Sequence, residues 1–267
     1  MVCLDCTGLL DEEMRKKLST KPMQQAYKIL SSIFAKTTPS DARILSELEA
    51  KIFKAEGRSI STRMLTYGEV TFRSFSHILM RVKSVNPYAT HFCDLGSGTG
   101  KAVLIAAIAI GFQRCTGVEI VKSLHNVAEE RLQELTRRLS LASSPSSSSS
   151  AQESCLLLER TKSVTFVNED MFNTKSLSSS STTTKTEALS SALSWSSADV
   201  IFIASTAFSE DILNRIAQKC VEDLKKGAQV LTLSKRLLGS RIKLTGCQKY
   251  RMSWSSSVTV FFHIITK

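Results

Sequence analysis

The reading of this chain turns on Phe92-Cys93-Asp94-Leu95-Gly96-Ser97-Gly98-Thr99-Gly100-Lys101. An apolar run from His91 to Leu95 stops at an acid, crosses three glycines at alternate positions and continues as an alanine-rich helix, Ala102 to Ile110. A buried strand, a glycine turn and a helix form a grammar for nucleotide cofactors: glycine lets the backbone approach a ligand, and the helix start offers unpaired N–H groups. Two related motifs do not fit. A phosphate loop needs a glycine where Leu95 stands and a Ser or Thr where Ala102 stands. A dinucleotide fingerprint, Gly-x-Gly-x-x-Gly, needs its third glycine one residue later than Gly100.

At 267 residues the chain suits one α/β domain of ordinary size with additions. No apolar run approaches the ~18 residues of a membrane span. Met1-Val2-Cys3-Leu4-Asp5-Cys6 has neither a basic nor an apolar signal region, so no secretory signal is expected. Seven cysteines, an odd number spread through strands and helices, fit a reducing compartment. Cys3 and Cys6 make a Cys-x-x-Cys with no second pair at zinc spacing, so no metal is expected. The net charge is +11, and from Lys225 through Lys267 there are nine basic residues and no acid. A solvated face is the plain explanation of a charge run. A one-signed run this long favours an acidic partner such as nucleic acid, a nucleosome or an anionic lipid surface.

Residues 9–56 read as helices. Met23, Ala26, Tyr27, Leu30, Ile33 and Phe34 recur at helical spacing behind Pro22, which a first turn tolerates. A second helix is expected to start near Ser40-Asp41, with Ile44, Leu45, Leu48, Ile52 and Phe53 as its inward stripe. These form an N-terminal helical cap and loop over 1–62, ahead of a catalytic domain over 63–267. An irregular loop over 57–68 leads to a helix from Val70 to Val82. Strands follow to Leu95, from Cys115 to Ile120, from Val164 to Val167, from Asp199 to Ala204 and from Gln229 to Leu233. Helices are expected at 102–110, 123–141 and 210–224, and Arg241–Tyr250 with Val258–Ile265 alternate like an antiparallel hairpin. Ser-rich tracts near 142–153 and 174–197 have nothing to bury and read as insertions. Repeated β–α units followed by a hairpin predict an α/β fold with a mostly parallel, doubly wound sheet. Ligands of such sheets lie beyond the carboxyl ends of the strands. Asp94, Glu119 and Asp170 all stand there.

Asp-x-Gly-x-Gly-x-Gly resembles the spacing of class I S-adenosylmethionine (SAM) methyltransferases, whose sheet is Rossmann-like. On these residues alone, a dinucleotide enzyme and a glycine turn without ligand stay open. With SAM as cofactor, Asp94 is placed for the methionine amine, and Gly96, Gly98 and Gly100 allow close backbone approach. Glu119 offers a bidentate acceptor to the ribose diol, as the corresponding acid does in dinucleotide enzymes. Asp170 is placed for the adenine amine, with Met171 against its face. Their structural alternatives are a helix-capping Asp94, a solvent-facing Glu119 and a turn-forming Asp170.

Leu65-Thr66-Tyr67-Gly68-Glu69-Val70-Thr71-Phe72, the glycine turn and Gly117-Val118-Glu119 together resemble the Dot (disruptor of telomeric silencing) family, histone lysine methyltransferases that lack a SET domain. Asp199-Val200-Ile201-Phe202, Ala207-Phe208, Ser253-Trp254 and His263 extend the likeness over about 63–267. The resemblance implies that Tyr67, Glu69 and Thr71 fold over the methionine end of SAM and border the lysine channel. It further implies that Phe208 and either Phe261 or Phe262 line that channel. His263 reads as a strand residue rather than a catalyst. Two departures bear on function. The family's pair of asparagines after the fourth strand is Ala204-Ser205 here, with Ser205 keeping a hydroxyl near the transferred methyl. Lys101 replaces a glutamine and is expected to pair with the methionine carboxylate. The expected function is transfer of a methyl group to a lysine of a protein, a nucleosomal histone first, in a nuclear or cytoplasmic setting. A non-histone protein substrate, or a SAM-binding chromatin module without turnover, are the alternatives.

Overall fold

The computed structural model describes residues 12–57, 68–143, 149–172 and 197–266. Among them β1 (His91–Leu95), β2 (Arg114–Glu119), β3 (Val164–Asn168), β4 (Val200–Ile203) and β5 (Gln229–Leu233) pair in parallel. β7 (Val258–Ile265) runs antiparallel to both β5 and β6 (Ile242–Tyr250). The sheet order is β3-β2-β1-β4-β5-β7-β6, the mostly parallel, doubly wound sheet with an antiparallel closing hairpin expected from the sequence. Chain order reverses between β1 and β4, and this switch point opens a crevice at the strands' carboxyl ends.

β1, β4 and β5 are buried along their whole length. Their near-continuous apolar runs reflect a sheet covered on both faces. Phe92, Val200, Phe202 and Leu231 point to one face, under α2 (Lys21–Phe34), α4 (Phe72–Val85), α6 (Lys122–Ala142) and α7 (Ser149–Thr161). Cys93, Leu95, Ile201 and Val230 point to the other, under α8 (Glu210–Asp223). The helix after the glycine turn starts as α5 (Lys101–Leu104) and continues as a π-helix over Ile105–Ile110.

Three expectations change in the folded chain. α3 (Pro39–Ala55) is capped by Thr38 rather than at Ser40-Asp41. Pro39 takes the first helical position, and a capping box joins Thr38 Oγ1 to Asp41 N–H and Asp41 Oδ2 to Thr38 N–H. Most of the stripe assigned to its inner face is turned outward, with Ile44, Leu48 and Ile52 between 51 and 55% exposed. Of the expected stripe Phe53 is buried and Leu45 half-buried; Ala42, Ser46 and Ala50 take the rest of the inner face, because small side chains let α3 lie close to α6. On α2 the expected stripe is buried apart from Tyr27. The third difference is α7, whose first residues, 149–153, fall in the expected serine insertion. Ala151, Ser154 and Leu157 are buried there. The rest of that tract, 144–148, and most of the second, 173–196, lie outside the described residues, as do 1–11 of the expected cap with Cys3 and Cys6.

Phe75 of α4 is fully buried, its ring 4.7 Å from that of Phe202 and 6.1 Å from that of Phe92. Phe75→Ala should cost about 3–5 kcal/mol of stability, read by urea denaturation. A loss below ~1 kcal/mol would show that α4 can close onto the sheet without it.

Candidate cofactor site

The glycine turn is built by its neighbours. Gly96 N–H and Ser97 N–H both donate to Val118 O of β2, at 2.8 and 3.0 Å, and Gly98 N–H donates to Glu119 Oε2 at 2.7 Å. At Gly100, φ is +81° and a Cβ would stand 2.5 Å from the Phe166 ring. Both the conformation and the packing therefore demand glycine there.

The Gly68–Thr71 segment is fastened to the connection between β6 and β7. Ser253 N–H donates to Glu69 O and Glu69 N–H to Ser253 Oγ, both at 3.0 Å. Thr71 Oγ1 donates to Arg251 O at 3.0 Å. A Cβ on Gly68 would meet the Trp254 ring at 2.6 Å. The fold thus joins two sequence signals 184 residues apart. Thr71 spends its hydroxyl on this fastening, and Tyr67 lies outside the described residues.

Glu69 is buried and accepts from Lys101 Nζ at 2.8 Å and from Thr99 Oγ1 at 3.2 Å, with Arg131 Nη1 3.6 Å away. Arg131, itself buried, donates to Thr99 O and to Thr37 O and lies over the Phe34 ring. Lys101 therefore pairs with Glu69 in this structure, a pairing the sequence did not suggest. Arg131 was missed altogether; its spacing on α6 marks it as one of many helix-surface arginines.

These elements enclose a cavity of about 230 Å³ lined by Glu69, Asp94, Gly96, Gly98, Lys101, Glu119, Asp170 and Met171, and by Phe208. Asp94 is 2% exposed, and among the described residues its Oδ1 has no hydrogen-bond partner. Burial, reinforced by the nearby Glu119 carboxylate, pushes its pKa well above the usual carboxylate range. Glu119 is also raised by burial, against the pull of N–H bonds from Val121 and Gly98. Asp170 accepts from Phe172 N–H at 2.9 Å, so it forms a turn and lines the cavity at once. Two carboxyls are thus held out of water, one with an open oxygen, an arrangement that costs free energy until a partner meets it.

On the β4 side the wall is Phe202, Ala204, Phe208 and Ile212, all apolar. Lys235 Nζ donates to Phe208 O at 2.5 Å and steadies the turn that carries Phe208. Ser205 does not reach the cavity: fully buried, it donates its hydroxyl to Leu233 O at 2.8 Å. Because the chain enters a 3-10 turn at Ser205, neighbouring side chains diverge and only Ala204 faces inward. Phe262 is a core residue under the Arg81 guanidinium, and neither it nor Phe261 borders the cavity. His263 Nδ1 faces Val230 O at 3.0 Å, while Leu237 N–H donates to its Nε2. Those partners fix the Nδ1–H tautomer, and burial lowers its pKa; it is a neutral strand residue. Arg215, stacked 3.9 Å from the Phe172 ring centroid at the rim, went unread in the sequence. Among the described residues no group of three or more His, Cys, Asp or Glu could hold a metal, and no helix is long and apolar enough to cross a membrane.

Residues 58–176 match the model of the family described as histone methylation protein DOT1. The match spans the Tyr67-Gly68-Glu69 segment, the glycine turn, Glu119 and Asp170, and it bears out the Dot-type resemblance. No curated protein matches the chain in sequence. Among solved structures, an rRNA methyltransferase (aviRa) from Streptomyces viridochromogenes is similar at 15% identity and a TM-score of 0.47, over 74% of this chain and 86% of that one. A putative methyltransferase (yhhF) from Escherichia coli is similar at 10% identity and a TM-score of 0.48, over 72% and 85%. An RNA methyltransferase from Salinibacter ruber, in complex with S-adenosyl-L-homocysteine, gives 16% and 0.42, over 72% and 90%. Likeness this distant says nothing of the substrate.

The raised Asp94 carboxyl sets a stability test. A carboxyl whose folded pKa exceeds its unfolded value stabilises the fold fully only below the unfolded value, and that contribution is lost as pH rises through the folded one. Asp94→Asn should therefore raise the melting temperature of the ligand-free protein at pH 8 by about 2–4 °C per kcal/mol gained, with the difference closing toward pH 4. A variant less stable than wild type at pH 8 would mean that the carboxylate is paired rather than desolvated.

Proposed function

We propose that this SAM-dependent methyltransferase of the Dot type methylates a lysine side chain of a protein, with nucleosomal histone as the leading substrate. The observation that carries the cofactor half of this reading is the pair of desolvated carboxyls, Asp94 and Glu119, in one cavity. In it, Asp94 Oδ1, the open oxygen, would accept from the methionine ammonium. Glu119 keeps lone pairs free for the ribose diol beyond the two N–H bonds it accepts. Asp170 and Met171 would serve the adenine, Gly96 and Gly98 would allow the backbone to approach, Gly100 keeps the turn packed against Phe166, and Lys101 would be the cation for the methionine carboxylate. Glu69 then acts on the loop rather than on the cofactor, holding it against the glycine turn.

SAM supplies a methyl group already activated by its sulfonium, so what remains for the chain is positioning. Ala204 follows β4, whose Phe202 and Ile203 pair with Asp94 and Leu95. The apolar wall therefore stands across from the glycine turn. A lysine has a free pKa near ~10.4, and the desolvation by Phe202, Ala204 and Phe208 favours its neutral, nucleophilic form. Phe208 and Tyr67 are the residues proposed to border the acceptor, whereas the geometry argues against Ser205.

The histone half rests on the family likeness and on charge. β5 and β6 end at the same edge as β1, because both are antiparallel to β7 while β5 is parallel to β4. Lys235 and Arg236 after β5, and Arg251 after β6, bring the acid-free stretch to the cofactor edge. Such a rim suits an acidic partner surface. Ala204 in place of asparagine favours the second reading, a non-histone protein substrate.

Transfer of a labelled methyl from SAM, offered to nucleosomes, free core histones and a whole-cell protein extract in parallel, tests the proposal. Label on nucleosomal histone is the expected result. Label confined to another protein keeps the enzyme and discards the histone, and tight SAM binding with no label anywhere favours the module without turnover. Gly98→Arg, in a turn with φ of +53°, should abolish SAM binding by calorimetry while leaving the circular dichroism spectrum unchanged. Unchanged affinity in that folded variant would sink the cofactor assignment.

A further inference from the structure

The first turn of α6 is gripped from two sides. Val121 N–H donates to Glu119 Oε1 at 2.8 Å. Lys122 N–H donates to Glu49 Oε1 at 2.6 Å, and Ser123 donates its N–H and its hydroxyl to Glu49 Oε2 at 2.9 and 2.6 Å. The opening N–H groups of a helix have no partner within it. Here two carboxylates supply them, one from the end of β2 and one from α3 of the N-terminal layer. α3 and α6 also meet through Ala42, Val121 and Leu124. Ser46, almost one turn ahead of Glu49, is fully buried and lines the cofactor cavity.

Glu49 itself is not a cavity residue, so any influence it has on a ligand must pass through α6. That path is short. Only Ile120 separates Glu119 from Val121, and the Val121 N–H fixes one oxygen of the Glu119 carboxylate while Gly98 N–H fixes the other. Where Val121 N–H points depends on where α6 begins, and Glu49 holds the two residues that follow.

We infer that Glu49 is a positioning residue for the ribose subsite: by pinning the first turn of α6 it sets the orientation of Glu119, which makes the N-terminal helical layer part of the cofactor site. The inference rests on the reading of Glu119 as the acceptor of the ribose diol. A residue that merely stabilised the fold would affect every ligand alike, whereas Glu49 should affect only ligands that carry the diol.

The test compares S-adenosylhomocysteine with its 2′,3′-dideoxy analogue by calorimetry. Glu49→Ala should weaken S-adenosylhomocysteine roughly fivefold to tenfold, the scale of a lost helix cap, and the dideoxy analogue by less than about twofold. Glu49→Gln keeps one acceptor oxygen and the helix; it should show a smaller loss confined to the same ligand, and it carries the test if the alanine variant does not fold. Equal losses for both ligands, or no loss for either, would overturn the inference. A wild-type protein that binds both ligands equally would remove Glu119 from the ribose, and one that binds neither would remove the cofactor reading; each takes this inference with it.

Discussion

The buried carboxylate of Glu69 brings together three parts of the chain that lie far apart in sequence. It meets Lys101 and Thr99 of the glycine turn, faces Arg131 of α6, and through Arg131 reaches Thr37 and Phe34 of the N-terminal layer. Its backbone is bonded to Ser253, in the connection between β6 and β7. A buried ion pair is weak evidence of net stability, because desolvation offsets much of the attraction. Removing one partner, however, leaves an uncompensated charge at a cost of about 3–5 kcal/mol. The cluster ties the loop, the turn and the helical layer to one another. The cavity is the space that this geometry leaves.

Within that space the electrostatics oppose folding. Asp94 and Glu119 are both held out of water, and their like charges raise the cost further. Residues that break a local rule in this way mark functional sites, where stability has been given up for binding. The cavity lining also carries Lys101. Acids, a cation and an apolar wall from Phe202 to Ile212 thus share one cavity.

Much of this was legible because it is written locally. β1, β4 and β5 announce themselves as short, largely apolar runs, since a strand covered on both faces has little polar side to show. The glycine turn is legible because positive φ and close approach restrict a position to one residue type, and the acids because strand ends are where a doubly wound sheet opens. Other features depend on partners distant in sequence. The periodicity of α3 shows that Ile44, Leu48 and Ile52 share a stripe. It cannot show that a rival stripe of Ala42, Ser46 and Ala50 would win by fitting closer to α6. Ser205 looked available until the 3-10 turn aimed its hydroxyl at Leu233 O.

By itself, then, the sequence determined the order of the strands and of the helices other than α7, the class of sheet, the glycine turn and the acids Asp94, Glu119 and Asp170. Each of these follows from steric limits and burial within a few residues of chain. Only the tertiary structure decided which face of α3 turns inward, that Lys101 and Arg131 share Glu69, that Gly68 lies against Trp254, and that Glu49 grips the start of α6. Those contacts join segments tens to nearly two hundred residues apart. A side chain's partner at that range is set by which surfaces the packed layers bring within hydrogen-bonding reach.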